Sequence, residues 1–229
     1  MNEVVAIVEG QTEQAFIRDH LAAHLGARGV SMWATLPGRV AKRGGVRAWE
    51  SVRGDILRTI QERRGRICTT LFDFYAMPHD WPGRTEAAKL PPDQKGDHVE
   101  KALLDDLAAR AGEGFRQELF IPYVQVHEFE ALLFSDVTKI AEVLSPIAGT
   151  PEAQISALLK AVLDKAGQAE AINDNYETCP SRRITSLVKA YRKPAYGPII
   201  AGRIGLNAIK AACPHFGQWV TRLEALGQA

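Results

Sequence analysis

Four nearly unbroken apolar runs, separated by stretches of helical periodicity, constrain this chain more than any other feature. Val4–Val8, Val30–Leu36, Arg66–Phe74 (RICTTLFDF) and Leu119–Val126 (LFIPYVQV) read as strands. Continuous rather than alternating apolarity marks strands covered on both faces. Between them, Thr12 to about Ala27 carries Phe16, Ile17, Leu21 and Leu25 on one stripe, and Trp49 to Arg63 carries Val52, Ile56, Leu57 and Ile60. That is the spacing of amphipathic helices. His98–Ala111 is a third predicted helix, and the Pro-, Gly- and charge-rich stretch from Tyr75 to Gly96 is predicted to be a long loop. Strands alternating with helices imply an α/β fold, a mostly parallel sheet of about four strands flanked by helices. From about Ile140 only helical periodicity remains. The expected division is therefore an α/β core over 1–138 and a helical C-terminal part over 139–229 packed on it.

A chain of 229 residues can bury a sizeable core as one domain, or as one domain with an appendage. A net charge of +1 excludes a generally basic nucleic-acid coat but permits a local basic groove. Cys68, Cys179 and Cys213 are far apart and lack CxxC spacing, which opposes a disulfide framework or a zinc site. Reduced thiols and a cytoplasmic location are expected. Glu3 and Glu9 interrupt the apolar start, so no secretory leader is expected. No segment approaches the roughly 18–20 apolar residues of a membrane span, so no membrane association is expected.

In an open parallel sheet, chemistry gathers in the crevice beyond the carboxyl ends of the strands. Glu9 follows the first predicted strand, Asp73 ends the third, and Glu128 and Glu130 follow the fourth. Glu13 lies one helical turn beyond Glu9, and Asp80 and Asp136 fall in adjoining segments. Carboxylates that close raise one another's pKa unless a cation compensates. Hard oxygen donors suit Mg²⁺ (or Mn²⁺), and such a site serves phosphodiester hydrolysis. Structural readings compete: Glu13 as a helix-start acid, Asp73 as a loop cap, Glu128 and Glu130 as first-turn acids of the EALLF helix. Glu9 resists such a reading, because a carboxylate directly after an apolar strand is costly without a partner. His127 reads as supporting a ligand, or as a satisfied core histidine, rather than as a ligand itself. Candidate phosphate contacts are Gly10 in the first turn, Lys42, Arg43 and Arg47 around Gly44-Gly45, Arg84, and Ser181, Arg182 and Arg183 at a helix start. Ser181 could equally be a cap. Tyr75, His79 and Trp81 offer a stacking surface for bases, with loop packing as the alternative for Trp81.

VEGQTE at the end of the first strand resembles the Toprim domain shared by topoisomerases, primases and the overcoming-lysogenization-defect (OLD) nucleases, in its OLD branch. The resemblance implies that Glu9 is a metal ligand or general acid/base, that Glu13 is a ligand of a second cation, and that Asp73 is the first aspartate of the DxD motif. Tyr75 stands where the second aspartate is expected, leaving Glu128, Glu130 and Asp80 as replacements. Over nearly its whole length the chain is similar to a bacterial family of unknown function with a Toprim-like core. The motifs are VEGQTE, KRGGV, FDFYAMPHDWPG, VHEFEALLFSD, INDNYETCPSRRI and GPIIAGRIGL with ACPHFGQW. Relatives of this kind resemble partners of ABC-type ATPases in phage-defence modules. The resulting expectation is an Mg²⁺- or Mn²⁺-dependent nuclease acting on DNA or tRNA, an anti-phage effector working with an ABC-type ATPase, with homodimerisation open. One rival is a non-catalytic adaptor that binds nucleic acid or docks on the ATPase. Another is phosphoryl transfer or hydrolysis on a nucleotide or tRNA.

Overall fold

The computed structural model describes residues 2–38, 46–112, 115–172 and 178–228. The chain forms two compact units, Met1–Val126 with Trp219–Ala229, and His127–Gln218. The first is built on a parallel sheet of five short strands: β1 (Asn2–Val8), β2 (Val30–Thr35), β3 (Ile67–Asp73), β4 (Phe120–Ile121) and β5 (Val124–Gln125). Their order is β2-β1-β3-β4, with β5 also paired to β3. Position in the sheet explains the sequence patterns. The central strand β3 is buried at every residue, as is β1 from Val4 to Val8, so both read as continuous apolar runs. The edge strand β2 alternates, with Val30 and Met32 buried and Trp33 exposed.

Helices cover the sheet. The predicted first helix forms as α1 (Gln11–Phe16), a π-helical turn over Ile17–Leu21, and α2 (Ala22–Gly26). Next come α3 (Trp49–Gln61), the short α4 (Arg84–Ala87) and the long α5 (Pro92–Ala111). Val52 and Ile56 of α3 and Val99, Leu103 and Leu107 of α5 join Ile7, Phe72 and Val124 in one apolar cluster.

Two segments depart from the sequence expectation. The stretch 75–96 is not all loop, because α4 lies within it and α5 starts at Pro92. Pro91-Pro92 is a favourable helix opening, since proline's missing N–H is not needed at the first helical position. The predicted Leu119–Val126 strand breaks at Pro122-Tyr123, where proline cannot donate to the ladder. The Thr70 hydroxyl fills the gap. Its Oγ1 accepts from Tyr123 N at 2.9 Å and donates to Tyr123 O at 3.1 Å. Pairing runs on across the break, Thr69 with Ile121 and Phe72 with Val124.

The structure also divides the chain at other points than 138. The first unit ends at Val126 and takes back the C-terminal segment from Trp219. Trp219 stacks on Tyr123 at 4.6 Å between ring centroids, and its Nε1 donates to Thr69 Oγ1 at 2.8 Å. The second unit is helical: α6 (Glu130–Leu133), α7 (Val137–Ala148), α8 (Glu152–Ala166), α9 (Pro180–Leu187), α10 (Lys193–Ile204), α11 (Leu206–Ala212) and the first residues of α12 (Pro214–Ala225). Among the described residues no helix is long and apolar enough to cross a membrane.

Candidate functional site

At the carboxyl edge of the sheet, β1 and β3 end side by side. Glu9 N donates to Leu71 O at 3.2 Å, which carries the β1–β3 ladder one residue past β1. This brings the Glu9 side chain to Asp73, whose backbone N–H donates to Glu9 Oε2 at 3.2 Å. Gly10 then turns the chain into α1 in an extended conformation, and Gln14 N donates to Gly10 O. A Cβ on Gly10 would sit 3.3 Å from Glu13 Oε2, so glycine lets the Glu13 carboxylate fold back over the turn. Glu13 is also in the first turn of α1, where an acid complements the helix dipole.

Three carboxylates are thus held at neighbouring backbone positions. Glu13 and Asp73 are only 3% and 4% exposed, while Glu9 is half-buried. Desolvated like charges at one edge are costly without a compensating cation or hydrogen bonds. The donor set is oxygen only, which fits Mg²⁺ or Mn²⁺ and not the softer zinc chemistry of thiolates. The cysteines play no part in such chemistry. All three are buried, and burial pushes the Cys68 thiol pKa well up and that of Cys213 up to about 12.

The other predicted acids have different settings. Asp80 Oδ2 accepts from Trp49 N at 2.8 Å, satisfying the first N–H of α3. Asp136 caps α7 by accepting from Thr138 N at 2.9 Å. Within the second unit, Glu128 grips Ser181, taking its backbone N–H at Oε2 and its hydroxyl at Oε1, both at 2.9 Å. The start of α9, predicted as a phosphate contact, therefore already faces a carboxylate. Glu130 is wholly buried, accepts from Tyr191 Oη at 3.1 Å and pairs with Lys193 Nζ at 3.1 Å. Burial pushes its carboxyl above the ordinary range, with Lys193 opposing. His127 is 1% exposed in the same unit.

Of the predicted phosphate contacts, Lys42 and Arg43 lie outside the described residues. Arg47 lays its guanidinium on Gly38, 3.3 Å from where a Cβ would stand. Arg182 is exposed, and Arg183 Nε donates to Thr178 O at 3.2 Å beside a cavity of about 530 Å³ that Lys165 also lines. Trp81 packs the loop down rather than offering a stacking face. It is 2% exposed, contacts Trp49 and Phe72 at 5.1 Å each, and donates from Nε1 to Arg47 O. Tyr75 is 40% exposed. Arg84 is buried, with its guanidinium 3.9 Å from the centre of the Phe74 ring.

One residue beside the site escaped the sequence reading. Lys95 is 7% exposed, and its Nζ donates to Tyr75 Oη at 3.1 Å. The signal existed: Lys95, Val99, Leu103 and Leu107 recur at four-residue spacing, so the lysine heads the buried stripe of α5.

Comparison with known proteins supplies a family and a fold. The family described as a domain of unknown function (DUF4276) matches residues 8–224. The C-terminal region of the Burkholderia pseudomallei OLD protein is similar in structure, with a TM-score of 0.51 at 16% identity over 98% of both chains. The corresponding region of the Xanthomonas campestris pv. campestris OLD protein gives 0.50 at 14% identity, covering 99% of this chain and 94% of that one. At such identity the likeness is one of fold. No curated protein matches significantly.

Proposed function

From the premise that the chain belongs to the DUF4276 family across residues 8–224, we propose that it is a metal-dependent phosphodiesterase acting on nucleic acid. The observation that carries this is the Glu9–Asp73 pairing at the carboxyl edge of β1 and β3, with Glu13 folded over the intervening turn. Asp73 and Glu13, nearly excluded from water, would hold Mg²⁺ or Mn²⁺. When bound, the cation would polarise the phosphate and ease deprotonation of the attacking water. Glu9 is the most exposed of the three, and the Asp73 N–H fixes its carboxylate. It is therefore the group placed to take the proton as water attacks phosphorus and the bond to the leaving oxygen breaks. Glu128 and Glu130 have partners in their own unit, so the proposed ligand set is built without them. A role in anti-phage defence beside an ABC-type ATPase is part of the proposal and rests on the resemblance alone.

The test is cleavage of plasmid DNA and of tRNA with Mg²⁺ or Mn²⁺, by the chain alone and with any ABC-type ATPase encoded beside it. Glu9→Ala and Asp73→Ala are each expected to cut at about one-hundredth of the wild-type rate or less, and EDTA to abolish cleavage. Equal cleavage by wild type and both variants would overturn the site. The second reading, a non-catalytic adaptor, is favoured by one observation: Tyr75 occupies the place of the second DxD acid. Absence of cleavage by every form, partner present, would select it.

A further inference from the structure

We propose that Arg84 and Lys95 form a phosphate-binding site on the Phe74–Tyr75 aromatic pair, immediately past Asp73 at the end of β3. Both cations are more than nine-tenths buried, at 8% and 7% exposure. The Arg84 guanidinium lies 3.9 Å from the centre of the Phe74 ring, and its buried Nε has no hydrogen-bond acceptor among the described residues. Lys95 Nζ is 5.5 Å from the Phe74 centroid and 5.3 Å from that of Tyr75, with the Tyr75 hydroxyl as its hydrogen-bond acceptor. Their contacts among the described residues are thus with aromatic rings and a phenol, and include no carboxylate within ion-pair distance.

Burying a cation without a counter-charge is expensive, and ring quadrupoles return only a fraction of the lost hydration. Lys95 has a second penalty, because it stands one turn from the N-terminus of α5, the positive end of that helix. Two desolvated positive groups converging on one ring form a setting that a bound anion would stabilise. A planar guanidinium and an ammonium held on the same ring suit the oxygens of a phosphate group, one by forked donation and the other as a point charge. Tyr75 indicates which phosphate. Its ring is 40% exposed and stands perpendicular to Phe74 at 5.2 Å, offering a face on which a base can stack. The structure therefore assigns a phosphate carried by a nucleotide chain.

This site does not require catalysis, so its test is run in EDTA, where failure of the nuclease reading cannot affect it. A labelled single-stranded oligonucleotide is titrated by fluorescence anisotropy into wild type, Lys95→Met, Arg84→Met and Lys95→Arg, and inorganic phosphate by calorimetry. Thermal melting is followed with and without phosphate. Each methionine variant is expected to weaken oligonucleotide binding by about tenfold or more, and Lys95→Arg to retain most of it. In phosphate-free buffer Lys95→Met should melt at or above wild type, since it removes an uncompensated buried charge, and phosphate should no longer raise its Tm. Inorganic phosphate binding as tightly as the oligonucleotide would overturn the nucleotide-chain assignment and leave a bare phosphate site. Unchanged binding in both methionine variants, or a Lys95→Met that melts lower and binds normally, would overturn the site itself.

Discussion

Glu130 carries its carboxyl at zero exposure, facing the Tyr191 hydroxyl and the Lys193 ammonium. Burial raises its pKa above the ordinary value of 4.5, and Lys193 opposes that rise without cancelling it. A folded-state value above the unfolded one means that the folded chain holds the proton more tightly. The contribution to stability is then full below the unfolded value and declines as pH rises through the folded value. Glu130→Gln removes this titration. Urea midpoints taken across a pH series should therefore shift in favour of Glu130→Gln as pH climbs above about 4.5, then run parallel to wild type. A constant difference at every pH would show that Glu130 titrates alike in both states. Glu130→Ala, which removes one half of the Glu130–Lys193 ion pair, should cost toward the lower end of roughly 3–5 kcal/mol, since Lys193 retains some solvent. The same residue shows where sequence reading stops. Glu9 and Asp73 were legible because an acid ending an apolar run is a local pattern. The partners of Glu128 and Glu130 lie 53 and 61 residues away, and no local pattern announces them.

The carboxyl edge of β3 is furnished by two helices whose mutual seating depends on one glycine. Gly83 precedes α4 at φ +73°, and a Cβ there would meet the Cβ of Ala102 on α5 at 2.8 Å. Backbone strain and a collision with a packed helix add together, so Gly83→Ala should destabilise by about 1–3 kcal/mol. Arg84 is the next residue, so displacement of α4 should also lower oligonucleotide affinity. Denaturant unfolding and anisotropy on the same sample check both effects, and a full-strength binder of normal stability would refute the coupling. At this scale β1, β3 and α3 were legible in the sequence, because continuous apolar runs and 3.6-residue stripes are set by burial. The start of α5 was hidden because the stretch that opens it, PPDQKGD, is charged and proline-rich and its stripe begins with a lysine. The break in the fourth strand had a signal in Pro122, but the Thr70 side chain that spans it lies some fifty residues away and had none.

The sheet unit is completed by the far end of the chain. Trp219 is 2% exposed on Tyr123, His24 meets Glu224 at 2.5 Å, and the Asn2 side chain donates to Leu226 O at 2.6 Å. Gly227 approaches so closely that a Cβ there would overlap the carbonyl of Arg28. None of these contacts could be read from periodicity, since they join residues far apart in the chain, by as much as 224 positions. The predicted 139–229 part consequently appeared as one block, although its last segment belongs with the sheet. Trp219→Ala removes a stacked ring and the donor to Thr69, leaving a buried hydroxyl short of a partner, and should cost about 3–5 kcal/mol. Residues 1–126 expressed alone should lack cooperative unfolding, because β3 and the Tyr123 turn would expose the surface that Trp219 covers. Fusing residues 219–229 to their C-terminus through a flexible linker should restore a single transition. Equal cooperativity with and without that segment, measured by calorimetry, would mean that the sheet stands without its closing helix and that Trp219 contributes only local packing.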